Sequence, residues 1–104
     1  HHPHVMQGME RYKDGLIAYS IGNFVFASYS QKVREAIILQ VKMGPSGLKE
    51  ARIYPININN YEVKFRPQRL RGEEAMNALN ELNALSSALG TEIEIHDETG
   101  VIFF

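Results

Sequence analysis

At 104 residues, with 44% hydrophobic and 22% charged side chains, the chain has material for one small globular domain and too little for two. A formal net charge of -1 gives no electrostatic case for nucleic acid or an anionic membrane, and nucleic acid is not expected as a partner. Without cysteine there are no disulfides and no thiolate zinc sites, and no apolar run approaches the roughly 20 residues that span a bilayer.

The chain opens on His1-His2-Pro3-His4. Imidazole is a common ligand of first-row metals, and two histidines in a turn can reach one ion. Pro3 fixes its own φ and biases His2 towards extended backbone, which helps to aim both rings. Taken alone, the tetrapeptide reads equally well as a purification remnant or tail. The interrupting proline and the strand-like Val5-Met6-Gln7 favour a motif. Because it starts without Met, the chain is expected to be a piece of a longer protein.

Val5 to Tyr12 reads as a strand leading into Lys13-Asp14-Gly15, where Asp-Gly is a strong hairpin signal. Leu16 to Tyr19 returns, and Ser20-Ile21-Gly22-Asn23 breaks the pattern before Phe24-Val25-Phe26. Val33 to Met43 is strand-like, with Ile37, Leu39, Val41 and Met43 on one face. Gly44-Pro45-Ser46-Gly47 predicts a turn, and Leu48 to Tyr54 resumes the strand. Pro55 lacks a ladder donor and marks a strand end, an edge or a bulge. Asn59-Asn60 is a second turn signal, after which Tyr61, Val63 and Phe65 alternate as in a strand.

One helix is expected, from Glu73 to Leu89. Ala75, Met76, Leu79, Leu82, Leu85 and Leu89 recur at helical steps. Glu73 and Glu74 complement the helix dipole, and Gly90 sits where a terminating glycine belongs. Ile93 and Ile95 then alternate with glutamates, Asp97 to Gly100 turns, and Val101 to Phe104 closes as a strand. With no internal repeat or linker, residues 1–104 read as a single region. Its class is α+β: antiparallel-rich strands and hairpins with one amphipathic helix in the C-terminal half.

Two charged features stand apart from the histidines. Lys64, Arg66, Arg69 and Arg71 precede the helix and read either as a solvated loop or as a site for an anionic polymer, since arginine pairs bidentately with carboxylates. His96-Asp97 opens a turn and reads as surface.

The stretch His2-Pro3-His4-Val5-Met6-Gln7, followed by Gly15 to Tyr19 and then Ser20-Ile21-Gly22-Asn23-Phe24, closely resembles the CapA-like poly-γ-glutamate capsule-biosynthesis proteins. Those carry a His-Pro-His-Val segment, a short hairpin and a Tyr-Ser-Leu-Gly-Asn-Phe segment at about this spacing. Tyr54-Pro55-Ile56, the helix with Leu85-Ser86 and the closing hairpin also look like the tail of that family. The likeness is specific mainly over residues 1–26, and Ile21 in place of leucine is a conservative departure.

The resemblance implies a C-terminal part of a calcineurin-like metallophosphoesterase fold, a fragment of its α/β sandwich. It makes His2 and His4 ligands of divalent metal ions in the full-length protein, with His1 a weaker candidate. Ser20 and Asn23 would lie near that site, although Gly22-Asn23 reads equally well as a purely structural turn. A dinuclear hydrolase site gathers further ligands from separate strand ends. Those are expected upstream of His1, in the missing N-terminal part of the domain, so the fragment alone is expected to be inactive. The resemblance also implies a bacterial envelope or extracytoplasmic location and contact with anionic polymer, here through Arg66, Arg69 and Arg71. A non-catalytic role in holding polymer or partner subunits is the alternative. Strand edges left without upstream neighbours are expected to invite a homo-oligomer.

Overall fold

The computed structural model describes residues 2–26, 29–30 and 33–104; His1 lies outside them. Strands β1 (Met9–Tyr12) and β2 (Gly15–Ala18) form an antiparallel hairpin. The main sheet holds β3 (Glu35–Gly44), β4 (Gly47–Asn57), β6 (Glu94–His96) and β7 (Thr99–Phe103) in the order β3-β4-β7-β6. A two-residue strand, β5 (Gln68–Arg69), pairs with the far end of β4. Two helices complete the described residues, a single turn α1 (Asn60–Val63) and the long α2 (Gly72–Ser87). All strand pairs are antiparallel, so the expected α+β class holds.

The core forms where α2 and the hairpin cover one face of the sheet. Met9, Ile37, Ala51, Ile53, Leu79, Leu82, Ile93 and Ile102 make one buried cluster. Helix α2 follows its apolar period only in part: Ala75, Ala78, Leu79 and Leu82 are buried, whereas Leu85 and Leu89 are exposed near its end. Its terminus is closed as expected. Gly90 takes a positive φ of 73°, and Thr91 N–H reaches back to the Ser86 carbonyl at 2.9 Å, which satisfies a carbonyl the helix leaves open.

The hairpin is clamped to this body by side chains. Met9 N–H donates to Ser86 Oγ at 2.9 Å and Arg11 N–H to Thr91 Oγ1 at 2.8 Å. These bonds occupy the edge of β1, which would otherwise present free donors to another strand.

Three expectations change in detail. The two residues outside the hairpin ladder are Lys13 and Asp14, because Gly15 already pairs with Tyr12, and it is Lys13 that takes a positive φ. Pro55 does not end its strand, since β4 runs through it to Asn57. Its carbonyl accepts from Leu70 N–H, so its nitrogen faces the side where the neighbour of β4 changes from β7 to β5 and no ladder donor is required. Tyr61, Val63 and Phe65 are not a strand. Asn59 Oδ1 accepts from Tyr61 N–H and caps a helical turn, and Lys64 and Phe65 leave it with left-handed backbones.

Candidate functional site

Hairpin register builds the site. The pairing that sets Met9 opposite Ala18 continues beyond the strands, with Gln7 N–H donating to the Ser20 carbonyl at 3.0 Å and a bridge between Met6 and Ile21. Two residues further out, the same register brings His4 opposite Asn23. The contact is made: His4 Nδ1 lies 2.8 Å from Asn23 Oδ1. An amide oxygen only accepts, so Nδ1 carries the ring hydrogen and the lone pair of Nε2 is left for another partner.

Backbone conformation gives the histidines their direction. His4 has a φ of 63°, a left-handed conformation that costs a non-glycine residue about 1–2 kcal/mol. It turns the chain so that the rings of His2 and His4 stand 6.5 Å apart, centre to centre, while the His4 ring also packs 5.1 Å from that of Phe26. His2 and His4 are thus neighbours, as their spacing predicts.

Asn23 is held by the turn before it. Gly22, at a φ of 80°, approaches β3 so closely that a Cβ there would sit 2.9 Å from the Ala36 Cβ. Ile37 N–H donates to the Ile21 carbonyl at 3.0 Å and ties the turn to the sheet. Ser20 is buried, and its Oγ accepts from Gly22 N–H at 3.3 Å, so its bond serves the turn and not the imidazoles. Asn23 is buried too, and its Nδ2 has no hydrogen-bond partner among the described residues. A buried amide with an unused donor is costly, and this one can take a further acceptor.

These residues can contribute imidazole nitrogens to a metal but do not form a full coordination shell. Among the described residues no group of three or more His, Asp, Glu or Cys is placed to hold an ion. With bonds of about 2 Å, one tetrahedral ion would bring two ring centres to about 5 Å. The observed 6.5 Å therefore asks for a modest ring rotation or for two adjacent ions. The donor chemistry fits, since a ligating histidine commonly donates its other N–H to an oxygen, as His4 does to Asn23.

Beside the histidines lies a group of residues that the sequence reading treats only as turns and alternation. Asn60 Nδ2 donates to the Phe26 carbonyl, and Asn60 Oδ1 accepts from Phe65 N–H. The rings of Tyr61 and Phe65 lie at 4.8 and 6.2 Å from that of Tyr29. The amide-rich run Asn57-Ile58-Asn59-Asn60 is the signal that could have marked this anchor, because buried amides pin loops that regular ladders cannot reach.

The basic cluster is dispersed by comparison. Arg69 lies over the Tyr54 ring at 4.7 Å, Arg71 is 3.8 Å from Glu98, and Arg66 is exposed beside α1. His96 at the end of β6 and Asp97 in the turn after it are exposed.

Comparison with known proteins includes the histidine region. Residues 1–28 match the family model of the bacterial capsule synthesis protein PGA_cap. The capsule biosynthesis protein CapA of Bacillus anthracis is 38% identical over 64 residues, 62% of this chain and 16% of that relative. The PGA biosynthesis protein CapA of Bacillus subtilis (strain 168) is 36% identical over 59 residues, 57% of this chain and 16% of that relative. The matched stretch thus spans 16% of each relative's length, and the chain is CapA-like in sequence.

Proposed function

We propose that this chain is the C-terminal part of a capsule-biosynthesis protein and lends His2 and His4 to a divalent-metal, hydrolase-like centre completed by other parts of the full-length protein. The single observation that supports this most is the 2.8 Å contact between His4 Nδ1 and Asn23 Oδ1, which leaves Nε2 bare. Asn23 fixes the tautomer and rotation of the His4 ring, and Gly22 and Ser20 fix Asn23. The unused Asn23 Nδ2 is available to an oxygen of a substrate or of a neighbouring carboxylate. An ion bound by these rings would polarise a phosphoryl or carbonyl oxygen and acidify a bound water. The described residues alone supply too few ligands for that chemistry, so the activity proposed is one of a longer protein.

A polymer-holding role for Arg66, Arg69 and Arg71 has less support, because Arg69 and Arg71 are already engaged with Tyr54 and Glu98.

The test is metal content and affinity in the purified full-length protein. His4→Ala should lose bound metal, and Asn23→Leu should weaken metal affinity by about tenfold while the protein stays folded. Metal content and affinity unchanged in both variants would overturn the proposal.

A further inference from the structure

At the opposite end of the hairpin, three cations line one concavity of about 560 Å³, a volume suited to a small ligand. Arg11 and Lys13 come from the β1–β2 hairpin, and Lys49 from the start of β4. Ser46 of the β3–β4 turn and Phe104 complete the walls with Asp14, the one acid lining it. Elsewhere some basic residues are paired, Arg34 with Glu62 and Glu74, Arg52 with Glu50 and Arg71 with Glu98, while Lys42, Lys64, Arg66 and Arg69 lie outside this concavity without an ion pair among the described residues. Among the described residues, Arg11, Lys13 and Lys49 have no ion pair.

Their placement is fixed by neighbours other than carboxylates. The Arg11 guanidinium stacks 4.3 Å from the centre of the Phe104 ring, and the Arg11 backbone N–H donates to Thr91 Oγ1. Lys13 Nζ stands 5.4 Å from the Tyr12 ring. The Lys49 stem lies across Gly44, where a Cβ would meet its Cε, and the Lys49 carbonyl accepts from Phe104 N–H at 2.9 Å. Gathering like charges at one place is unfavourable without a counter-charge, and ring faces attract cations without neutralising them.

We propose that this concavity binds a small multivalent oxyanion, a polycarboxylate or a phosphate. The Arg11 fork offers paired N–H donors to one oxyanion group. Lys13 and Lys49 add point charges for a second, and the Ser46 hydroxyl adds a neutral donor. This inference is independent of the metal reading, since none of its residues touches the histidine site.

Citrate and pyrophosphate, each titrated into the protein at low ionic strength and followed by calorimetry and amide NMR shifts, test it. Saturable binding is expected, with shifts centred on Arg11, Lys49 and Ser46. Arg11→Gln combined with Lys49→Gln should weaken it by about tenfold, and raised salt should weaken it further. Lys42→Gln, which removes a charge elsewhere, should leave it unchanged. Tighter binding of citrate assigns carboxylates to the site, and tighter binding of pyrophosphate assigns phosphate. Failure to saturate, equal loss in Lys42→Gln, or full affinity in the double variant would overturn the proposal.

Discussion

The stretch from His2 to Phe26 and the body from Glu35 to Phe103 are held in different ways. In the body, a buried apolar cluster joins α2 to the sheet, and its side chains are ones that any well-packed α+β domain could use. The opening stretch joins that cluster through Met9, and adds to it named polar contacts and unusual backbone: His4 and Gly22 at positive φ, and Ser20 and Asn23 buried with specific partners. The family match falls on the second kind of structure, residues 1–28. Apolar packing tolerates many sequences, whereas a directed imidazole tolerates few. The matched residues 1–28 thus include the strained His4 and Gly22 backbones, whereas the body from Glu35 lies outside that family model.

The sharpest way to separate the two is to damage the body alone. Leu79 is fully buried at the centre of the core. Leu79→Ala should cost about 3 kcal/mol from lost burial and the cavity left behind, a large share of a small domain's stability. Urea unfolding should show a much lower midpoint, while the His4 ring resonances of the folded fraction stay where they are. A loss below about 1 kcal/mol would mean that α2 does not carry the core.

A smaller and more local effect is expected at Gly22. Alanine there must hold a left-handed backbone and press its Cβ on Ala36, so Gly22→Ala should cost about 1–3 kcal/mol. Unlike Leu79→Ala, it should shift the His4 ring resonances in the folded protein, because Asn23 follows directly in the chain. An unchanged His4 environment would show that the turn does not position the imidazole.

Much of this was legible in sequence for physical reasons that differ by element. The hairpins announced themselves through Asp14-Gly15 and Gly44-Pro45-Ser46-Gly47, since backbone constraints at turns are local. Helix α2 was visible because its period persists over four turns, although Leu85 and Leu89 carry that period past the point where the sheet covers it. The turn α1 was not, as three alternating residues cannot distinguish a strand from one helical turn, and its cap is a side-chain bond from Asn59. Of the site, the pairing of His2 with His4 follows from spacing. That of His4 with Asn23 was not read from the residues, since it needs the observed register, with Lys13 and Asp14 as the turn, carried two residues beyond Met6 and Ile21. The Asn60 anchor on Phe26 depends on a contact across 34 residues: the amide-rich run Asn57-Ile58-Asn59-Asn60 marks an anchor but does not name its partner.

The smallest effect lies at the seam between the two regions, where Arg34 binds Glu62 and Glu74 and sits 3.6 Å from Glu35. The two glutamates Glu35 and Glu62 respond to folding in opposite senses. Burial, with repulsion from Glu81, raises the Glu35 carboxyl above its ordinary value. Hydrogen bonds from Arg34 and Asn57 lower Glu62. Folded Glu35 therefore holds its proton where the unfolded chain has released it. Its unfavourable contribution grows as pH rises from the ordinary glutamate value through the raised one. Glu62 stabilises the fold above the ordinary value, and that stabilisation fades as pH falls through the lowered one. Melting curves between about pH 3 and about pH 7 should show Glu35→Gln gaining on the parent as pH rises. Glu62→Gln should fall behind the parent over the same range. Parallel curves for the two variants would mean that Arg34 holds the seam by contact alone, without discriminating between a carboxylate it binds in solvent and one that burial discourages.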